Sequence, residues 1–297
     1  MLKSVDALGR LEVRGFVIPA PPLEEAFVSL LRCPHCRQAL RAGPAGLECV
    51  GCGRRSSSPP SVELVAAAEP RRTLGAAFMG SRLAARLYQG VWRPVTFGLS
   101  SGFRKPSFDQ EAELVLPRLA RYPGPWLDLA CGPGALAARM LASAPQQLLV
   151  VSDLSPAMLR AAGARSQAFR VRADALNLPF VDAAFGAVVN LAALDLYADP
   201  ELALRECLRV LKPGGAWLGS CFVWPERWLR WSRTRLFAPL RNQAGTHGFT
   251  ADTLYDLLRR VGFTAIEQRA FGGYRMIWAE KPNGVAFKIA DQSSLGR

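Results

Sequence analysis

From residue 108 to residue 280 the chain alternates short apolar runs with segments whose apolar positions recur at helical spacing. Short apolar runs are typical of buried strands, and the helical repeat is typical of amphipathic helices. Their alternation predicts an α/β fold, a mostly parallel sheet with helices on both faces. The predicted strands are 126–130, 148–153, 169–174, 185–193, 216–223, 263–271 and 274–280, and the predicted helices are 108–121, 135–142, 156–165, 200–210 and 250–261.

The first hundred residues show a different pattern. A weak strand signal over 11–19 runs into prolines, a cysteine-rich segment follows, and a Ser/Pro-rich stretch marks a boundary near residue 60. An apolar repeat predicts one helix over 74–92. The predicted divisions are an N-terminal extension (1–30), a ribbon (31–60), a helical linker (61–105), an α/β domain (106–282) with a lid insertion (222–249), and a flexible tail (283–297).

Composition narrows the class of protein. The 297 residues are 50% hydrophobic and 21% charged, which is enough for a core and excludes wholesale disorder. The sequence shows no run of 18 apolar residues and no basic start followed by an apolar stretch. We therefore expect no transmembrane segment, no secretory leader and a cytoplasmic location.

The net charge of +13 lies outside the most motif-rich part of the chain. Residues 82–105 hold five basic and no acidic side chains, and residues 217–249 hold five arginines and one glutamate. One interpretation is a compositional bias toward arginine. The other is an anionic partner, which could be RNA, a phosphorylated or carboxylated substrate, or an acidic carrier protein.

Four of the seven cysteines form two Cys-x-x-Cys pairs, Cys33 with Cys36 and Cys49 with Cys52, separated by twelve residues. Each pair can turn two sulfurs toward one ion, and four thiolates fill the tetrahedral shell of Zn²⁺. The pattern predicts a structural zinc ribbon, with folding energy supplied by the metal. We expect loss of Cys33 to destabilise this segment and to leave cofactor affinity nearly intact.

A glycine-rich turn follows the first predicted strand of the α/β domain. Gly132 and Gly134 allow a ligand to approach the backbone, and with Ala137 they also fit a dinucleotide fingerprint, with Asp153 as the ribose acid. Asp128, at the end of the strand, would repel a pyrophosphate and would suit a positively charged amino group. This turn alone does not decide between a dinucleotide and a cofactor that carries a positively charged amino group.

Three acids end three successive predicted strands, Asp128, Asp153 and Asp174. The carboxyl ends of parallel strands meet at one edge of the sheet, where open α/β sheets bind ligands. A carboxylate there can attract an ammonium group, accept both ribose hydroxyls, or accept a hydrogen bond from an adenine amino group. Amine, ribose and adenine are the parts of S-adenosylmethionine, which the layered pattern therefore favours over a dinucleotide.

Across residues 105–281 the chain resembles the class I S-adenosylmethionine-dependent methyltransferases, most closely the branch that methylates quinone rings. The resemblance rests on the glycine turn, the acid at 153, residues 173–180 and the Lys-Pro-Gly-Gly segment 212–215. It implies a Rossmann-like seven-stranded sheet preceded by a small zinc ribbon, with Ala130 replacing the family's first loop glycine. The implied cofactor-binding residues are Asp128, Ala130, Gly132, Gly134, Asp153, Leu154, Asp174, Ala175 and Asn190.

Three tryptophans, Trp224, Trp228 and Trp231, recur at helical spacing within the predicted lid and are surrounded by arginines. They could pack as a lid helix, form an aromatic wall over a flat substrate, or contact nucleic acid or a membrane surface. By the resemblance, an insertion at this point shapes the acceptor pocket.

Methyl transfer mainly requires orientation, and a base is needed only where the acceptor carries a proton. The candidate bases are His247 and Asp195. We predict an S-adenosylmethionine-dependent methyltransferase acting at oxygen or carbon of a small organic acceptor, with an anionic or carrier-bound acceptor left open. The alternatives are a ribosomal-RNA methyltransferase that holds RNA with the ribbon and basic blocks, a non-catalytic cofactor-binding protein, and an NAD-dependent oxidoreductase.

Overall fold

The structure is a computed structural model, and it describes residues 4–5, 11–13, 16–18, 23–43, 45–65, 107–224 and 248–283. The predicted helix over 74–92, most of the predicted lid and the predicted tail lie outside these residues. The N-terminal elements are β1 (Ser4–Val5), β2 (Leu11–Val13), β3 (Phe16–Ile18), α1 (Leu23–Ser29), β4 (Leu40–Gly43), β5 (Gly46–Cys49), β6 (Arg55–Ser56) and β7 (Ser61–Glu63).

The α/β domain contains each predicted element, with ends within two residues of the prediction at all strands and helices but one. The exception is β12, which begins five residues early. The elements are α2 (Phe108–Leu119), β8 (Trp126–Leu129), α3 (Ala135–Ser143), β9 (Leu149–Asp153), α4 (Pro156–Gly163), β10 (Phe169–Arg172), β11 (Phe185–Leu191), α5 (Pro200–Val210), β12 (Leu211–Phe222), α6 (Ala251–Val261), β13 (Thr264–Phe271) and β14 (Tyr274–Glu280).

Local sequence explains where these helices begin. Ser107 accepts a hydrogen bond from the backbone of Gln110, and the Gln110 side chain accepts one from the Ser107 backbone, so that α2 starts with a capping box. Ser155 and Asp199 cap α4 and α5, and each precedes a proline at the first helical position. Side-chain caps at these loops fix the helix starts on the sheet.

The central sheet has the order β13-β14-β12-β11-β8-β9-β10-β7. Strands β7 to β12 pair in parallel, and β14 pairs antiparallel with both β12 and β13. The predicted α/β class is confirmed, with eight strands where the sequence predicted seven. Because β11 lies beside β8 while β9 and β10 extend the other way, the strand order reverses between β8 and β11. Open sheets of this kind bind ligands outside the carboxyl ends of the strands at that reversal.

The additional strand is β7, in the segment that we assigned to a helical linker. Ser61–Glu63 pairs in parallel with β10, with Val62 opposite Val171 and fully buried. The main-chain pairing continues beyond it, since the Leu64 N–H donates to the Arg172 carbonyl at 2.9 Å. The chain that leaves the cysteine segment therefore becomes part of the sheet.

Two apolar clusters cover the two faces of the sheet. One face packs against α2, α3 and α4 through residues such as Leu119, Met140 and Leu159. The other face packs against α5 and α6, and the same cluster includes Phe27 of α1, Leu47 of β5 and two ribbon cysteines. The ribbon is therefore part of the main core, and Phe27 of α1 packs with it on this face of the sheet.

The described residues contain no helix that is both long enough and apolar enough to cross a bilayer.

Candidate cofactor site and cysteine cluster

Polar side chains from β8, β9 and β11 meet at the carboxyl edge of the sheet, where the strand order reverses. Asp128 lies in β8, Asp153 is the last residue of β9, and Asn190 lies near the end of β11. Asp174 follows β10 by two residues. The parallel register explains this convergence, because β8 pairs with both β9 and β11.

The turn after β8 has an unusual backbone. Ala130, Gly132 and Gly134 have φ values of 55°, 54° and 76°, in the left-handed region that favours glycine. A Cβ atom on Gly134 would lie 2.7 Å from Cα of Ala162, so that only glycine lets α3 start this close to α4. Ala130 adopts the left-handed conformation although it carries a Cβ atom, so the backbone of the loop is strained at this residue.

The carboxylate of Asp153 organises this turn. Its Oδ2 accepts from the Gly132 N–H at 3.0 Å and its Oδ1 accepts from the Ser155 N–H at 2.8 Å. Burial raises the pKa of Asp153, while these backbone donors lower it. A carboxylate has about four acceptor positions, more than these backbone donors fill, so acceptor capacity remains for hydroxyl groups of a ligand.

Asp128 is only 3% exposed, and its Oδ2 has no hydrogen-bond partner among the described residues. Burial, the larger cause, and the nearby charge of Asp153 together raise the pKa of this carboxyl to about 8. An acceptor held without a partner in this environment is a site for a donor, and a cation would restore the charged form.

Asn190 lies on β11, one residue beyond Val189, which pairs with Asp128 across the strand-order reversal. Its Nδ2 donates to the Leu129 carbonyl at 2.9 Å and to the Tyr197 hydroxyl at 2.8 Å, and its Oδ1 has no partner in the described chain. Tyr197 was not among the site residues predicted from the sequence. Burial raises the pKa of its phenol, and Cys207, Asp153 and Asp174 raise it more weakly. The only sequence signal was an aromatic residue soon after a strand end.

Asp174 begins the loop that connects β10 to β11. Its Oδ1 accepts from the Leu176 N–H at 2.9 Å, which closes the turn around Ala175. Ala175 is buried, and the Leu154 carbonyl accepts from Nε of Arg172 at 3.0 Å. These three predicted residues lie at the ends of neighbouring strands, as expected for one side of a ligand site.

Asp195 lies in a single 3₁₀ turn, Leu194–Leu196, just after β11. Its Oδ1 is buried without a partner in the part of the chain that the structure describes, and burial raises its pKa to about 6. Ser220 lies near the end of β12, the strand that pairs with β11. Its hydroxyl accepts from the Tyr274 hydroxyl at 2.6 Å and from the Ala192 N–H at 2.9 Å. The other candidate base, His247, lies outside the described residues.

The four ribbon cysteines form a separate cluster. Their sulfurs lie within 4.8 Å of one another, with Cys33 Sγ 3.6 Å from Cys52 Sγ and Cys36 Sγ 3.3 Å from Cys49 Sγ. Four sulfurs around one Zn²⁺ at about 2.3 Å are separated by about 3.8 Å, which is close to this spacing. Donation from the backbone N–H of Cys52, the largest effect, lowers the pKa of Cys49 to about 6. The donor set fits a zinc ion.

Comparison with known proteins supports the interpretation of this edge. Residues 127–218 match the family described as a methyltransferase domain. This match and the fold described above agree with the resemblance to the class I S-adenosylmethionine-dependent methyltransferases.

The chain is also similar to two curated methyltransferases. The chain is 39% identical to the demethylmenaquinone methyltransferase of Thermus thermophilus over 142 residues, which are 46% of this chain and 61% of that enzyme. The match thus spans less than two thirds of that enzyme. An uncharacterized chloroplastic methyltransferase of Arabidopsis thaliana is 26% identical over 90% of this chain and 83% of its own.

A solved structure shares the fold. An O-methyltransferase family protein from Burkholderia thailandensis superposes with a TM-score of 0.51 at 20% identity, covering 71% of this chain and 63% of that one. At this identity the likeness supports the fold alone.

Proposed function

We propose that this protein is an S-adenosylmethionine-dependent methyltransferase that modifies a small organic acceptor at oxygen or carbon. The observation that carries the proposal is the set of buried acceptor atoms at the strand-order reversal, Oδ2 of Asp128 and Oδ1 of Asn190, which lack donors in the described chain. These two unpaired acceptors and the carboxylate of Asp153 suit a cationic ligand that also carries hydroxyl groups. A pyrophosphate offers acceptors and no donor, so it would leave Oδ1 of Asn190 unpaired, which disfavours NAD.

Each strand end has a distinct role in this proposal. Asp128 and Asn190 accept hydrogen bonds from the ammonium group of the cofactor. Asp153 uses its remaining acceptor positions for the ribose hydroxyls, and the backbone of Ala130, Gly132 and Gly134 lets the cofactor approach closely. Leu154, Asp174 and Ala175 form the adenine side of the site.

The cofactor supplies an electrophilic methyl group on a sulfonium ion. The contribution of the chain is to hold the acceptor in line with the methyl carbon and to exclude water. Where the acceptor carries a proton, Asp195 is placed to take it, since its unpaired Oδ1 lies at the same edge of the sheet. A pKa near 6 leaves this carboxyl largely ionised at neutral pH. His247 is the second candidate base.

The surroundings of the site favour an acceptor with an apolar part. Leu196 is 50% exposed in the turn after β11, and Trp224 is 41% exposed just beyond β12, the neighbouring strand. The Thermus relative, by its name, methylates a demethylmenaquinone. Quinone-like acceptors are therefore the first class to test. The RNA alternative rests on the basic blocks, and the relatives reported above name no RNA substrate.

We also propose that the cysteine cluster binds one structural Zn²⁺. The four thiolates leave no ligand position for a substrate, so the metal has no direct role in methyl transfer. Metal analysis of the purified chain should find about one zinc per molecule. A folded, metal-free protein would contradict this assignment.

Calorimetric titration tests the cofactor, with S-adenosylhomocysteine as ligand and NAD as the competitor. Transfer of a tritiated methyl group then tests the acceptor, using lipid-quinone fractions and structured RNA side by side. We expect S-adenosylhomocysteine to bind and label to enter the organic fraction. Tight NAD binding without S-adenosylhomocysteine binding would reject the cofactor, and label only in RNA would place the RNA alternative first.

A further inference from the structure

The loop at residues 174–181, which we call the adenine-side loop, is held against the cysteine ribbon. Nδ2 of Asn177 donates to the Pro34 carbonyl at 3.2 Å, and Nη1 of Arg37 donates to the Leu178 carbonyl at 2.9 Å. The main chain adds two hydrogen bonds. The Arg32 N–H donates to the Pro179 carbonyl at 2.9 Å, and the Val181 N–H donates to the Leu30 carbonyl at 2.8 Å. The ribbon and the residue that precedes it, Leu30, therefore contact this loop at residues 177–181.

The opposite side of the loop is fixed by α5. Oε2 of Glu206 accepts from the Leu178 N–H at 2.8 Å, and Arg209 donates to the carbonyls of Leu178 and Phe180 at 2.9 and 2.7 Å. The loop is thus held between one regular helix and one small ribbon. Both α5 and the ribbon pack in the same core cluster, and of the two only the ribbon has a local fold that also depends on its cysteines.

The contacts come from the first cysteine pair itself. Pro34 lies between Cys33 and Cys36, and Arg37 follows directly, with φ of 61°. The direction of the Pro34 carbonyl and of the Arg37 side chain therefore depends on how the sulfurs of this pair are held. Two main-chain hydrogen bonds close this turn, from the Arg37 N–H to the Cys33 carbonyl and from the Cys33 N–H to the Gln38 carbonyl, both at 2.9 Å. A metal held by the sulfurs would add the bonds that tie this pair to the second pair.

We propose that the ribbon is a positioning element for the adenine end of the cofactor site, so that an intact, metal-holding ribbon is required for full cofactor affinity. This inference rests on the proposed function, because it takes the loop that begins at Asp174 as the adenine side. It predicts the opposite of our expectation from the sequence that loss of Cys33 would leave cofactor affinity nearly intact. The ribbon and the loop share hydrogen bonds and a common core, which the sequence did not reveal.

The test uses full-length variants that remove single ribbon contacts to the loop. Asn177→Ala removes the bond to Pro34, and Arg37→Gln removes the guanidinium that reaches Leu178. Arg41→Ala is the matched control, because Arg41 is exposed in the same ribbon and pairs with Glu48 across β4 and β5. The readouts are the dissociation constants for S-adenosylhomocysteine and for its analogue whose purine lacks the 6-amino group.

We expect each loop variant to weaken S-adenosylhomocysteine binding about three- to tenfold, the effect of one lost hydrogen bond. The affinity ratio between the two ligands should also shrink, since a displaced loop no longer discriminates the adenine amino group. Arg41→Ala should change neither quantity. A merely structural contact would lower stability and leave the ligand ratio unchanged.

The outcomes separate the two proposals. If the wild-type protein binds no S-adenosylhomocysteine, the proposed function fails. If the wild type binds and both loop variants bind equally well with an unchanged ligand ratio, the positioning role is overturned. Hydrogen exchange adds a second readout, since removal of the metal by a chelator should increase exchange in peptides covering 174–181 more than in those covering β11. Equal protection in both peptides would also overturn the proposal.

Discussion

Asp128→Asn should make the protein more stable at alkaline pH and a poorer cofactor binder. In the folded protein the pKa of Asp128 is about 8, against an ordinary value of 3.8. Between these values the native state holds a proton that the unfolded chain releases, so stability falls as pH rises. One pKa unit corresponds to about 1.36 kcal/mol, which gives a penalty of about 2 kcal/mol at pH 5 and about 5 kcal/mol at pH 8.

Asparagine does not titrate, but its amide places an N–H donor where Oδ2 of Asp128 has no partner in the described chain. An unpaired buried donor costs about 1–3 kcal/mol. The two effects nearly cancel at pH 5, and at pH 8 the variant should be about 2–4 kcal/mol more stable than the wild type. Affinity for S-adenosylhomocysteine should fall by about 1.5–3 kcal/mol, because the charge-assisted bond to the ammonium group is lost.

Urea unfolding at intervals from pH 5 to pH 8 measures the difference in unfolding free energy between variant and wild type. Asp256→Asn is the control. Asp256 is exposed on α6, so this substitution removes the same charge from the surface. Its difference from the wild type should be flat across the pH range. If the Asp128→Asn difference is equally flat, the buried carboxyl does not hold its proton in the folded protein. Unchanged affinity would instead separate Asp128 from the cofactor.

Three further substitutions test the remaining parts of the site. Asp153→Ala should weaken S-adenosylhomocysteine binding by about 1.5–3 kcal/mol in calorimetry, and an unchanged affinity would place the ribose elsewhere. Gly134→Ala should lower the unfolding free energy by about 2–4 kcal/mol, since the new Cβ meets Ala162 at 2.7 Å and φ is 76°; a fully stable variant would refute the close approach. Asp195→Asn should lower kcat by about 100-fold at an unchanged dissociation constant for S-adenosylhomocysteine. It should also abolish the rise in wild-type activity through about pH 6, and a retained acidic limb would favour His247 as the base.

The sequence predicted the sheet and the strand-end acids because each depends on a local pattern. The apolar runs mark buried strands, and parallel pairing then brings Asp128, Asp153 and Asn190 to one edge. The residues that the pattern missed are placed by long-range packing. Tyr197 reaches Asn190 only because a 3₁₀ turn reverses the chain after β11, and no periodicity marks that turn.

The docking of the ribbon could not be predicted for a related reason. β7 is three residues long and follows two prolines, so it shows too little alternation to be recognised as a strand. Its partner β10 lies about 110 residues further along the chain. The bond from Asn177 to Pro34 spans 143 residues. Neither contact leaves a local signal, and both depend on the folded sheet.

The distribution of unpaired buried atoms links the stability of this fold to its ligand. In the described chain, four of the five buried side-chain atoms without a partner belong to residues at the carboxyl ends of β8, β9 and β11 or just beyond, namely Asp128, Ser152, Asn190 and Asp195. Each unpaired group costs about 1–3 kcal/mol, so this edge is where the free protein is least well satisfied. A ligand that donates to these atoms stabilises the native state in proportion to the logarithm of its concentration. Saturating S-adenosylhomocysteine should therefore raise the melting temperature of the wild type and raise that of Asp128→Asn much less. An equal rise in both proteins would show that the ligand does not use this cluster of acceptors.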